Sequence, residues 1–475
     1  MPASTDAPPG GSPPPKVPTS RLGRTARIAG LTAGQSLRWA GTRAANLARS
    51  DERAQEAMDD RTAALAEQIV DQLGTMKGAA MKIGQVLSTV DFSAIPEGER
   101  ERFKEKLATL RDEAPPQPFS RMRKLIEREL GGKISETFSS FDEEAFAAAS
   151  IGQVHRATTL DGRDVAVKVQ YPGIAEAVET DLRNLGVLLP LVKRLAPGLD
   201  VKVVAGELRE RISEELDYEL EAQRHREVER AFRGHPFVKV PAVDTALSTR
   251  RVLVTEYVHG ERFEQIKQRD EATRDRVGET MFRFFFGLLG RRRLCCGDPH
   301  PGNLLLCPDG KVCFLDFGLT RKIDETYLEA EREIARAVTA GDAAGVHRGL
   351  SELGYLPDPE TFEPQRVFDQ LALAGEWYFQ PGFRRLSPEY VMELLDAGGS
   401  PRSPYFDQMR RQTIPPQALL MRRMEGMIFS VLGELRAGAD WSKLASEYFA
   451  GDAPATPLGL AEAQWLAGRG GRRAA

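Results

Sequence analysis

Gly297-Asp298-Pro299-His300-Pro301-Gly302-Asn303, followed by Phe314-Leu315-Asp316-Phe317-Gly318, is the stretch whose reading decides the fold. It sets three oxygen-bearing groups at the spacing used for phosphoryl transfer. One Asp accepts the nucleophile's proton, an Asn after it holds one Mg ion, and the Asp of D-F-G holds another. Asp298, Asn303 and Asp316 take those roles in order. Between them, Val312-Cys313-Phe314-Leu315 is a short apolar run behind the turn signal Pro308-Asp309-Gly310. This predicts a small β-hairpin with the loop and the D-F-G at its two ends. A plain Asp/Asn-rich surface turn is the alternative. The paired spacing argues against it, and the expectation is a chain that handles Mg-ATP.

Upstream, Val165-Ala166-Val167-Lys168 matches the V-A-I-K strand, whose Lys pairs the α- and β-phosphates of a nucleotide and is held by a helix Glu. Ahead of it, Ala147-Ala148-Ala149-Ser150-Ile151-Gly152-Gln153-Val154 occupies the place of the G-x-G-x-x-G-x-V phosphate loop. It keeps Gly152 and Val154 and replaces the first two Gly by Ala147 and Ala149. The Cβ of Ala disfavours positive φ and close approach of backbone N–H groups to phosphate, so an altered nucleotide pose or affinity is expected. Farther on, Glu215, Asp217 and Glu221 read as acidic sets on one helix, and Glu221 is the choice to hold Lys168. Thr255-Glu256-Tyr257-Val258 reads as a hinge whose Glu256 and Val258 backbone would meet an adenine edge. An ordinary buried strand is the alternative.

The whole chain sets broad limits. Its 475 residues suit two or three domain-sized units, and 41% hydrophobic residues with a formal net charge of -4 describe an ordinary globular protein without the basicity that nucleic acid demands. All 4 Cys, at positions 295, 296, 307 and 313, crowd around the catalytic loop. A chain of this size needs no disulfide staples, and adjacent Cys295 and Cys296 lack the C-x-x-C spacing of a metal site. Reduced, buried fillers in a cytosolic compartment are expected. The longest apolar candidate for a membrane span, Met281 to Leu289, is short and contains Arg283, so no span is predicted.

Local patterns divide the chain. Residues 1–20, with Pro8-Pro9-Gly10-Gly11-Ser12-Pro13-Pro14-Pro15, read as a disordered tail. Residues 21–60 read as a basic amphipathic segment, because Arg21, Arg24, Arg27, Arg38, Arg43 and Arg49 interleave with Leu22, Ile28, Leu31, Leu37, Trp39 and Leu47 with no acidic residue before Ser50. It suits either an anionic membrane surface or an Arg-rich linker. Residues 61–130 form a helical extension in which Leu65, Ile69, Leu73 and Met76 recur at helical spacing, 131–260 a β-rich lobe with inserted helices, 261–455 a helical lobe, and 456–475 a polar tail. After Tyr327 only helices and loops are expected.

These residues resemble a specific family, the UbiB/AarF-type atypical kinases, which include accessory proteins of coenzyme Q biosynthesis. The resemblance is carried by K-x-G-Q at Lys82-Ile83-Gly84-Gln85, the A-A-A-S loop at Ala147 to Ser150, E-x-D at Glu215-Leu216-Asp217, and D-P-H-P-G-N at Asp298 to Asn303. It implies an α+β, two-lobed protein-kinase-like fold with an N-terminal helical extension and an all-α C-terminal lobe. The K-x-G-Q helices would lie across the cleft used for protein substrates, with Lys82 meeting Glu215 or Asp217 and with Gly84 and Gln85 in the same regulatory lid. The implied cofactors are ATP and Mg2+. The implied partners are an anionic membrane surface, lipid-like small molecules and quinone-biosynthesis enzymes, with no nucleic acid and with a homodimer as the oligomer to consider. The chain departs from the family where Cys296-Gly297 stands in place of the His that relatives often carry before the catalytic Asp. It also lacks the apolar C-terminal spans of some relatives.

Three functions remain at this point: an ATPase or kinase acting on or near a lipid-like substrate, a protein kinase, and a non-catalytic ATP-binding scaffold. Retention of Lys168, Glu221, Asp298, Asn303 and Asp316 favours the first over the scaffold. The short run from Leu319 to Asp324 offers no A-P-E-terminated activation loop, which disfavours the protein kinase. The expected location is cytoplasmic and peripheral to a membrane.

Overall fold

The computed structural model describes residues 51–74, 95, 103, 117–149, 151–195, 205–206, 209, 212–399 and 403–470. Lys82, Gly84, Gln85, Ser150 and the basic residues 21–49 lie outside the described residues. The chain divides into two compact units. The first takes residues up to Leu160 with Val167–Asp217 and Arg250–Val252; the second takes Asp161–Ala166, Tyr218–Thr249 and Leu253–Ala475.

In the first unit, helix α1 (Asp51–Gly74) buries Leu65, Ile69 and Leu73, the periodic face expected of it. It crosses the 60/61 boundary without a break. Helix α2 (Phe119–Leu130) buries Met122, Leu125 and Ile126 and stops at Gly131, whose φ of 73° lets its N–H return to Glu127 O. Strands β1 (Phe138–Phe141), β2 (Ala147–Ala149), β3 (Gly152–Thr159) and β4 (Asp164–Gln170) follow, and β1 and β2 both run antiparallel to β3. Along β4 burial alternates, with Val165, Val167 and Val169 inward and Lys168 on the other face. Helix α3 (Ile174–Leu195) comes next. Residues 164–166 of β4 and, from Leu253 on, strand β6 (Val252–Glu256) fall in the second unit.

The second unit starts with helix α4 (Tyr218–Phe232), strand β5 (Val238–Lys239) and, beyond β6, strand β7 (Glu261–Arg262). Its core is organised on helix α5 (Glu271–Arg292). Asp270 caps α5 by accepting from Thr273 N at 2.9 Å. Met281, Phe284, Phe285, Leu288 and Leu289 of α5 are buried, at the three- and four-residue spacing of one helix face. After α5 come strands β8 (Leu294–Cys296), β9 (Leu304–Leu306), β10 (Val312–Phe314) and β11 (Thr320–Lys322). Strands β9 and β10 form the predicted antiparallel hairpin, and β11 folds back on β8. Asp324 then caps helix α6 (Glu325–Ala340) through Tyr327 N, and helices α7 (Ala343–Glu352), α8 (Pro364–Ala374), α9 (Pro388–Gly399), α10 (Pro416–Leu435), α11 (Trp441–Phe449) and α12 (Pro457–Gly470) complete the unit. No helix among the described residues is long and apolar enough to cross a membrane.

Four expectations change. Glu215, Asp217 and Glu221 do not share one helix: the helical turn over 212–215 ends at Leu216, and Asp217 stands just before α4, where an Asp side chain favours a helix start over a helix interior. The division places α4 and β5 with the second unit, well before the expected boundary at 260. The segment after Tyr327 is not purely helical, because β12 (Arg384–Arg385) pairs with β13 (Gly438–Ala439). Residues 457–470 are helix α12 and not a polar tail. Its buried Glu462 explains the difference, for a charged residue in that sequence is an anchor once cations meet it.

Those cations come from the core helix. Arg283, read from sequence as a polar interruption, is fully buried and pairs with Glu279 at 2.7 Å, Glu447 at 2.7 Å and Glu462 at 3.4 Å. Arg291 reaches Glu462 at 2.6 Å. Trp465 of α12 packs edge-on against His235, and Arg469 donates to Ala231 O at 2.8 Å and Arg230 O at 2.9 Å. Helix α12 therefore holds down the C-terminal end of α4, the helix that carries Glu221.

Candidate active site

The hairpin register builds the site of the second unit. Phe314 pairs with Leu304, and Leu315 N donates to Asn303 O at 3.0 Å, so Asn303 and Asp316 leave the same open end of the hairpin. Behind it, Phe314 stacks on Phe284 of α5 with ring centres 3.8 Å apart. The loop ahead of Asn303 is tied to itself: His300 N donates to Asp298 O at 2.8 Å, Gly302 N donates to His300 Nδ1 at 3.0 Å, and Asn303 N donates to His300 O at 2.9 Å. Asp298, His300, Asn303 and Asp316 line one small hollow, with Phe284, Phe285 and Met281 as its apolar wall.

Asp316 accepts from Gly318 N at 2.8 Å, which closes the D-F-G turn. Helix α4 meets that turn with three residues. A Cβ placed on Gly318 would lie 3.9 Å from the carboxyl carbon of Glu221, Arg224 donates to Gly318 O at 2.6 Å, and the His225 ring sits edge-on to Phe317 at 4.7 Å. Glu221 is itself buried. Arg224 and His225 were not singled out in the sequence, although their place three and four residues after Glu221 puts them on its face of the helix.

The cysteines are the fillers that were expected: all four are buried and free. Burial pushes the Cys296 thiol up to about 12. The side chains of Asn303 and Asp316 offer hard oxygens at the hollow. That donor set fits Mg2+, which is commonly bound by one or two protein oxygens together with phosphate oxygens and water.

In the first unit, Lys168 projects from β4. The Ala loop is a hairpin in which Ala147 pairs with Val154, Ala148 with Gln153 and Ala149 with Gly152. Gln153 anchors it, accepting from Gln117 N at 2.8 Å and meeting His155 Nε2 at 3.0 Å. Two residues beyond Lys168, the buried Gln170 donates to Leu216 O at 3.0 Å and to Arg250 O at 3.3 Å. This ties the Glu215-Leu216-Asp217 segment to the end of the strand that carries Lys168. Asp217 lies 3.8 Å from Arg250.

Glu256 and Val258 belong to the second unit. Glu256 N already donates to Ala242 O at 2.8 Å, so an adenine contact from this residue has to use its carbonyl. Its carboxylate pairs with Lys239 at 2.6 Å.

A family model described as the ABC1 atypical kinase-like domain matches residues 109–350. The chain belongs to that family. The ABC1 match takes in Lys168, Glu221, Asp298, Asn303 and Asp316, and it bears out the resemblance to UbiB/AarF-type atypical kinases. Among named relatives, atypical kinase COQ8B, mitochondrial, of Rattus norvegicus is 34% identical over 348 residues, which is 73% of this chain and 65% of that protein. Atypical kinase COQ8, mitochondrial, of Saccharomyces cerevisiae is 28% identical over 348 residues, covering 73% of this chain and 68% of that protein. The chain thus spans about two thirds or less of the length of these and similar relatives, down to 39% of the Caenorhabditis elegans coq-8 protein. A solved structure titled as the complex of Rv3197 with erythromycin, from Mycobacterium tuberculosis, is similar with a TM-score of 0.61 and 31% identity. That similarity covers 84% of this chain and 98% of that one.

Proposed function

We propose that this ABC1-family chain binds Mg-ATP and acts as an atypical kinase or ATPase in quinone or other prenyl-lipid metabolism. The observation that carries the reading is the hairpin that sets Asn303 beside Asp316, with Asp298 lining the same hollow and Glu221 at the D-F-G turn. In this reading Asp298 is the base, Asn303 and Asp316 hold Mg, and Lys168 pairs the phosphates with Glu221 as its partner. The Ala147 to Val154 hairpin, with Ala148, Ala149, Ser150 and Gly152, covers the nucleotide, and Glu256 and Val258 flank the adenine. Bound Mg2+ would supply charge neutralisation for the triphosphate; the protein's task is to place its oxygens and the base.

A small-molecule acceptor is favoured over a peptide because β11 and the Asp324 cap lead straight from the D-F-G turn into α6. That a solved relative carries erythromycin in its title is in keeping with small-molecule ligands in this family. Lys82, Gly84 and Gln85 act as the lid, with Glu215 and Asp217 as its counter-charges. Residues 21–49 hold the protein to an anionic membrane surface, where quinone-biosynthesis enzymes are its expected partners.

The test is phosphate release from Mg-ATP by the purified full chain, with and without anionic vesicles and quinone-precursor phenols. Release that depends on Mg and rises with vesicles or phenols supports the reading. No release under any of these conditions, with nucleotide binding absent as well, sinks it.

A further inference from the structure

Asp298 lies just past the end of β8, one residue after Gly297. The packing explains that glycine. A Cβ there would overlap Leu420 Cδ1, lie 2.8 Å from Leu420 Cγ and press on Leu319 Cδ2 at 3.2 Å. Leu420 stands on α10, and one stripe of that helix docks onto the strand that leads to Asp298. Leu420 covers Gly297, Met424 places its sulfur 3.7 Å from Cys295 Sγ, and between them Arg423 reaches the catalytic loop. Arg423 Nε donates to Gly297 O at 2.9 Å, and Arg423 Nη2 lies 3.3 Å from Asp298 Oδ1. Among the described residues no other side chain donates to that carboxylate.

We propose that Arg423 is the positioning residue of Asp298: it fixes the carboxylate through one arm of its guanidinium while the other arm holds the carbonyl of Gly297. The inference rests on the reading of Asp298 as the base. It goes beyond it in naming a residue outside the part of the chain that the family model matches, since that match ends at residue 350. The fork geometry matters, because one planar cation with fixed donors satisfies backbone and carboxylate together, whereas a Lys has a single ammonium to offer. Its neighbour Arg422 has a different task, pairing with Glu331 and Glu425 on the far side of α10. Of these two arginines, Arg423 is the one directed at the loop.

The experiment compares wild type, Arg423→Ala, Arg423→Lys and Asp298→Ala as full chains, measuring Mg-ATP phosphate release, nucleotide affinity and melting temperature. The expected result is a fall in kcat on the order of 10- to 100-fold in Arg423→Ala, the cost of a misplaced catalytic group, with nucleotide affinity held within about twofold. Arg423→Lys should be intermediate, and ethylguanidinium should restore part of the rate to Arg423→Ala but none to Asp298→Ala. Wild-type kcat in Arg423→Ala beside a dead Asp298→Ala overturns the positioning role and leaves the nucleotide reading intact. A loss in Arg423→Ala that is matched by lost affinity or melting temperature, with no rescue by Lys or by ethylguanidinium, also overturns it, for the residue is then structural. A wild-type chain with no phosphate release overturns the nucleotide reading and this proposal together.

Discussion

Leu315 donates its backbone N–H to the carbonyl of Asn303, and this 3.0 Å bond joins the end of one hairpin strand to the start of the other. Asn303 and Asp316 thus share one rigid support, reinforced where Phe314 stacks on Phe284. Their spacing is set by a β-ladder and a buried aromatic pair, so a substitution at either position changes chemistry before it changes shape.

The first prediction follows. Asp316→Asn should weaken Mg-dependent nucleotide binding, while Asp298→Ala and Lys168→Ala should lower turnover by roughly 100-fold or more with the fold intact. Calorimetric titration with and without Mg, beside phosphate release and circular dichroism, checks all three. Wild-type release from all three variants would remove the enzyme assignment.

Gly297→Ala tests the packing against Leu420. The added Cβ overpacks the contact and should destabilise the protein by about 1–3 kcal/mol. In the background of Leu420→Ala the same change should cost much less, since the two sites touch and cannot be additive. Denaturant melts of the two single variants and the double variant decide it; strictly additive costs would mean that the helix does not bear on Gly297.

The Ala hairpin gives a third expectation. Ala149 faces Gly152 at the end of the β2–β3 ladder. Ala149→Gly should raise ATP affinity by freeing the backbone where N–H groups approach phosphate. Unchanged or weaker binding in calorimetry would show that this hairpin does not touch the nucleotide.

How far the sequence spoke depended on whether a signal was local. The hairpin that carries Asn303 and Asp316, the Lys168 strand and the buried face of α5 were legible because each is a short motif or a strict periodicity. The break at Leu216 and Asp217 was not, because a run of acidic residues has helical composition on either side of a cap. Arg423 was invisible for a different reason: it meets Asp298 only through the docking of α10, and nothing near either residue signals the other. Arg283 and Glu462 misled in the same way, one as a break in an apolar run and the other as part of a polar tail, until their distant partners were in place.

The segment 21–49 carries the membrane proposal. Each Arg near an anionic surface could contribute about 1 kcal/mol, and the interspersed Leu and Trp add apolar burial. The full chain should therefore sediment with anionic liposomes, less so as salt rises. Equal sedimentation of a chain lacking residues 1–50, or indifference to salt, would assign the segment to packing or linkage.

The charge cluster under α12 predicts an acid transition. Burial works against the Glu462 carboxylate, but His235 and Arg291 beside it and the charge of Arg283 outweigh that, holding it down from its ordinary 4.5 to about 2. A group depressed in the folded state stabilises the fold above its ordinary value, and that contribution is lost as pH falls through the folded one. Stability should then decline between pH 4.5 and about 2 as Glu462 takes up its proton. His235, whose pKa burial lowers, adds to the loss in the same direction as pH falls below its ordinary 6.5. Glu462→Ala leaves Arg283 and Arg291 with an incomplete set of partners, so it should cost about 3–5 kcal/mol at neutral pH and flatten the pH dependence in the acid range. Because α12 holds the end of α4 through Arg469, the variant should also loosen the helix that carries Glu221. Hydrogen exchange over 218–232 reads that directly: protection equal to wild type, together with an unchanged acid melt, would mean that the cluster neither anchors α12 nor supports the site.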